Sequence, residues 1–170
     1  MSDGIILALQ QLKTQIEAID PSPQPAPVAV KIYAYKPDEP INITKFPYII
    51  IGQKFGQQTD IWQLKARNLT LHKWSAGIDV FLGPRVLPEW EIEEMVRPWY
   101  QAMATAILAD ATLGNTAHYV GGSGSFDSEL MTMETGHLHW YDQYTKKPES
   151  YWGIHFDLPI TQQHNIFIGP

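Results

Sequence analysis

The sequence predicts an α+β fold, a mostly antiparallel β-sheet with two α-helices packed on one side and long β-hairpin or arm extensions. Three observations carry that prediction. Two segments repeat apolar residues at helical spacing, several others alternate apolar and polar residues, and the stretches between them are rich in Pro and Gly. A length of 170 residues suits one domain, with an N-terminal helix at 3–19, a linker at 21–27 and an α+β core over 28–170.

In the first helix Ile5, Leu9, Leu12, Ile16 and Ile19 follow at steps of four, three, four and three, forming one stripe. Ser2 or Asp3 is placed to cap its first amides. Asp20-Pro21 ends it, because proline disfavours helical geometry in the residue before it. Residues 21–27 hold four prolines and read as a stiff, extended spacer. Val28, Val30 and Ile32 then alternate as a short strand, and residues 36–40 form a turn. Residues 47–52 read as a strand buried on both faces, begun by Pro47 where no ladder donor is needed.

Residues 53–68 read as a polar, irregular arm holding Phe55, Trp62 and Leu64. The clearest strand follows: Trp74, Ala76, Ile78, Val80 and Leu82 share one face at period two, with Lys73, Ser75 and Asp79 on the other. Gly83-Pro84 breaks it, and a second helix starts near Pro88-Glu89. Glu89, Glu91, Glu93 and Glu94 sit in its first two turns, where the positive dipole end favours carboxylates; this accounts for them without a catalytic role. Ile92, Met95 or Val96, Trp99, Met103 and Ile107 form its buried stripe, and Pro98 predicts a kink or two abutting helices. The helix stops around 110–115. His118 to Val120 leads into a glycine-rich loop at 121–125, and two long strands follow over 130–144 and 151–160. In the last, Trp152, Ile154, Phe156 and Leu158 share one face and His155 and Asp157 the other.

The chain has no cysteine, which excludes disulfides, thiolate zinc sites and cysteine nucleophiles. No run approaches the ~20 apolar residues of a membrane helix. The start, MSDGIILALQQLKTQ, lacks a basic leader and a small-residue cleavage site, so the expectation is a soluble intracellular protein with no membrane partner. Twelve Lys and Arg against 18 Asp and Glu give a net charge of −6, which argues against sequence-specific DNA binding. The charge is unevenly spread. Lys45, Lys54, Lys65, Arg67, Lys73 and Arg85 face only Asp60 and Asp79 over 45–85, whereas 98–145 has no Lys or Arg and holds Asp110, Asp127, Glu129, Glu134 and Asp142. Such polarity lets like subunits meet plus to minus.

The histidines are the first candidates for chemistry. His137-Leu-His139 places two imidazoles on one strand face about 7 Å apart, with His155 and Asp157 able to flank them if the last two strands pair. That cluster suits zinc, iron or nickel and gives an alternative reading, a cupin-like metal-dependent enzyme using His137, His139 and His155. The usual acidic ligand at short spacing after the second histidine is missing, since the next Glu is Glu149. The 121–125 loop lacks the final glycine and following helix of a nucleophile elbow. It also lacks the Lys-Ser/Thr of a phosphate loop. No set of nucleophile, base and orienting group emerges. The expectation is a building block, with no catalytic residue, metal or cofactor.

The order helix, Pro-rich linker, strand, strand, polar arm, long strand, acidic helix, strand hairpin, final strand resembles the tail terminator (tail completion, or minor tail) proteins of long-tailed bacteriophages. Phe46-Pro-Tyr-Ile-Ile-Ile-Gly52, Lys73-Trp-Ser-Ala-Gly-Ile-Asp-Val-Phe81 running into the second helix, and Tyr151-Trp-Gly-Ile-His-Phe-Asp-Leu158 carry the likeness over nearly the whole chain. The resemblance implies a structural virion protein. Its copies would form a hexameric ring that ends polymerisation of the tail tube and joins it to the head connector, with duplex DNA passing through unbound. It would be assembled in the host cytoplasm and sit in the virion near the head–tail junction. A head–tail adaptor or tail tube subunit is the alternative within the same machine. On this reading Phe55, Gln57, Asp60, Trp62, Lys65 and Arg67 of the arm, with Ile166, Phe167 and Ile168, are candidates for subunit or tube contacts. Asp127, Glu129 and Glu134 are candidates for channel-facing acids that repel phosphates.

Overall fold

The computed structural model describes residues 3–33, 41–54, 60–64, 69–121, 130–142 and 146–165. In chain order the elements are α1 (Asp3–Glu17), β1 (Ala29–Tyr33), β2 (Tyr48–Lys54), β3 (Asp60–Leu64), β4 (Leu69–Pro84), α2 (Glu89–Leu108), β5 (Tyr119–Val120), β6 (Thr132–Asp142) and β7 (Lys147–Asn165). All seven strands join one sheet in which β4 and β7 are the central pair. β2 and β3 share the outer edge of β4, and β5 and β6 that of β7; β1 adds outside β2. The β1–β2 pair is parallel and the others are antiparallel.

Period-two patterning decides what the sheet buries. Trp74, Ala76, Ile78, Val80 and Leu82 of β4 lie beside Ile154, Phe156, Leu158 and Ile160 of β7, and Ile49 and Ile51 of β2 extend the same face. Ile5, Leu9, Leu12 and Ile16 of α1 cover it, with Ile92, Val96, Trp99, Met103 and Ile107 of α2. Each Val, Leu, Ile, Phe or Met side chain among them contributes ~1.5–3 kcal/mol when fully buried. Val96 occupies the stripe position and Met95 only borders it. Pro98 lies within a continuous helix, so two abutting helices do not form.

Three further points differ from the sequence expectation. The arm is not irregular throughout: β3 pairs in register with β4, from Asp60 opposite Trp74 to Leu64 opposite Thr70, so ladder bonds organise a stretch with little patterning of its own. The last strand is 19 residues long. The opposite sheet face also carries a smaller apolar cluster of Ile41, Ile43, Tyr48, Ile50, Phe81 and Tyr151. Trp140 of β6 joins it, donating its indole N–H to the Ile41 carbonyl at 3.3 Å and meeting Tyr33 of β1 edge to face at 5.5 Å. Since β1 and β6 are outer strands on opposite sides of the sheet, that contact requires the sheet to curl over this second face.

Candidate functional site

Strand register assembles a polar strip on the face away from the helices. One row runs Lys31, Ile50, Asp79, His155, Glu134, a residue from each of five strands. The next runs Tyr33, Gly52, Gly77, Asp157, Thr132. The glycines leave room above the sheet. The His155 ring lies over Gly77, its Cε1 3.4 Å from where a Cβ would stand. Lys54 Nζ donates to Asp157 Oδ2 at 2.5 Å.

His155 Nδ1 and Asp79 Oδ1 are 2.6 Å apart, both side chains partly exposed. The hydrogen bond to Asp79 holds the His155 imidazole above its ordinary pKa; burial opposes this and the Asp79 charge adds to it. A carboxylate-oriented imidazole is half of a catalytic relay. Among the described residues no hydroxyl hydrogen-bonds that ring, so the nucleophile half is not assembled. What the strip offers is a row of ionisable groups, Lys31, Asp79, His155 and Glu134, alternating in sign when His155 is protonated, which favours a complementary charged surface docked in one register.

The sequence candidates fall in different places. His137 and His139 share a face of β6, but it is the helix side: His137 lies against Trp152 with ring centres 4.1 Å apart, and His139 Nδ1 pairs with Ser150 Oγ at 2.9 Å. His155 stands opposite Glu134, three residues from His137 and therefore on the other face. The last two strands do pair, yet His155 and Asp157 do not flank the histidine pair, and the cupin-like triad does not assemble. No group of three or more His, Asp or Glu able to hold a metal occurs among the described residues.

Glu134 is exposed and ends the polar row, whereas Asp127 and Glu129 lie outside the described residues. Trp62 is 55% exposed and stacks on His72. Asp60 opens β3. Phe55, Gln57, Lys65, Arg67, Ile166, Phe167 and Ile168 lie outside the described residues, as do Ser2, the turn expected at 36–40 and residues 122–129. A cleft of about 680 Å³ lies between α1 and α2 beside Gln15, Ala18, Pro98, Ala102 and Ala106; among the described residues Asp20 is its one ionisable lining group, so they supply no acid–base pair there. Sequence reading missed the Asp79–His155 and Lys54–Asp157 pairs. Their signal was the shared parity of Asp79 with Lys73 and of His155 with Asp157, but pairing them needs the register of β4 on β7.

No known protein family matches the chain, and no curated protein matches it. Among the described residues no helix is long and apolar enough to cross a membrane.

Proposed function

We propose that the protein is a structural subunit of a phage tail that closes into a ring, as the tail terminator resemblance implies, and acts by assembly without bond chemistry. One observation supports the reading above the others: the outer strands on the two sides of the sheet differ in charge. Lys31 and Lys54 stand on β1 and β2, while β5 and β6 hold no Lys or Arg and β6 presents Glu134, Lys147 standing only at the far end of the β6–β7 ladder. A subunit with opposite signs on two different surfaces binds its own copies head to tail, and such an interface closes into a ring when the rotation permits. With a radius of gyration of about 15 Å for one domain, six copies leave room for a central channel that passes duplex DNA. The partners on this reading are further copies of the chain, the tail tube protein and the head connector.

Electron microscopy and native mass spectrometry of the purified protein test this. Single-layer six-fold annuli that cap isolated tubes are the expected result. Long tubes formed by the protein alone would instead make it the tube subunit. A monomer that persists at high concentration and ignores tube ends would remove the basis of the proposal.

A further inference from the structure

A second polar cluster lies on the helix side of the sheet, where β3 joins β4, remote from the charged strip. Thr70 of β4 stands opposite His164 of β7, and His72 opposite both Trp62 of β3 and Gln162 of β7. Thr70 is 6% and His72 1% exposed. The two imidazole rings are 6.1 Å apart between centres and tilted by 38°. Trp62 covers them, stacked on His72 at 3.9 Å and 5.3 Å from His164. Gln162 is not free to serve the histidines: its Oε1 accepts from Trp74 Nε1, and its Nε2 donates to the Gly4 and Thr116 carbonyls. Thr70 Oγ1 and His164 Nε2 are both buried and make no hydrogen bond among the described residues.

Buried polar atoms are nearly always satisfied, so two orphans on facing residues point to a guest. The donors decide its kind. Imidazole nitrogens with a hydroxyl, and no carboxylate described among them, suit a borderline transition metal over calcium or magnesium. Zinc–nitrogen bonds are ~2.0–2.1 Å, which places two ring centres sharing one ion roughly 5–6.5 Å apart. The observed separation falls within that range.

We propose that His72 and His164, with the Thr70 hydroxyl and water completing the shell, bind one divalent transition-metal ion of zinc-like preference. The ion ties β4 to β7 beside the start of α1, with Trp62 as its cover.

The test uses the full chain, stripped with chelator, carrying His137→Ala and His139→Ala so that the exposed pair on β6 does not compete. Titration with Zn²⁺ followed by calorimetry should give one ion per chain and raise the thermal midpoint by several degrees. His164→Ala should abolish both effects, and Thr70→Val should weaken binding several-fold. Copper-loaded protein, read by pulsed electron paramagnetic resonance, supplies a measurement that needs no further variant, and two imidazole nitrogens on the ion are expected. No zinc uptake, unchanged stoichiometry in folded His164→Ala, or fewer than two coordinated imidazoles would each overturn the proposal and leave the cavity to water.

Discussion

Replacing Gln162 by Leu should be among the most costly single changes in the molecule, although it keeps the volume and removes no charge. Gln162 is 2% exposed and serves three elements at once. It accepts from Trp74 Nε1 at 3.0 Å and donates to the carbonyls of Gly4 in α1 and Thr116 in the turn after α2, each at 2.9 Å. Leucine leaves the indole N–H of a residue that is itself 2% exposed without an acceptor; an orphaned buried donor costs ~1–3 kcal/mol. The two carbonyls are only part-buried, and each lost bond adds ~0.5–1 kcal/mol. The sum is about 2–5 kcal/mol, equivalent to roughly 5–15 °C in Tm at this chain length. Urea unfolding followed by far-UV circular dichroism measures it as a shift of midpoint at constant slope. Gln163→Leu, exposed on the same strand, is the control and should stay within about 0.5 kcal/mol. A double-mutant cycle with Trp74→Phe should recover at least about 1 kcal/mol of coupling. A loss below 1 kcal/mol in Gln162→Leu, or no coupling to Trp74, would refute the reasoning.

Two glycines paired across β6 and β7 should respond in opposite directions to alanine. A Cβ on Gly153 would stand 2.3 Å from the Val80 carbonyl oxygen and 2.5 Å from Leu138 Cδ1, so Gly153→Ala must force β4 and β7 apart and lose about 2 kcal/mol or more, whereas Gly136 has nothing within 4 Å. Gly136→Ala should be neutral or gain up to about 0.5 kcal/mol, and thermal melts of the pair decide this. The charged strip should show in the pH dependence of stability. Because His155 is raised above 6.5 in the folded state, its bond to Asp79 contributes fully below that pH and is lost as pH rises through the folded value. The urea midpoint should therefore fall over this interval, and Asp79→Asn should flatten the fall; an equally steep profile in that variant would exclude the pair as its source.

Much of the fold was legible because burial leaves a periodic trace. The four stripe residues of α1, with Ile19 just past its end where the spacing predicts helix, and the five of β4 all reach the core, as their spacing demands. β3 left no such trace, since its pairing with β4 is a property of two segments and not of one. The histidines show the same limit more sharply. Whether His155 meets His137 depends on the register of β6 on β7; a slip of one residue exchanges the two faces of a strand. The Asp79–His155 pair was hidden for the same reason, being separated by 76 positions. Gln162 gave no signal at all, because a buried amide in a late strand looks in sequence like any exposed one.

The pairing of Leu69–Pro84 with the final strand Lys147–Asn165 has a consequence for biosynthesis. During translation β4 must wait, its apolar face uncovered, for a partner made several seconds later at about 5–20 residues per second. α1 and the first strands emerge early but lack the central ladder on which they rest. The nascent polypeptide therefore closes late and nearly all at once, and any copy released before the last strand is complete is a template for aggregation through β4.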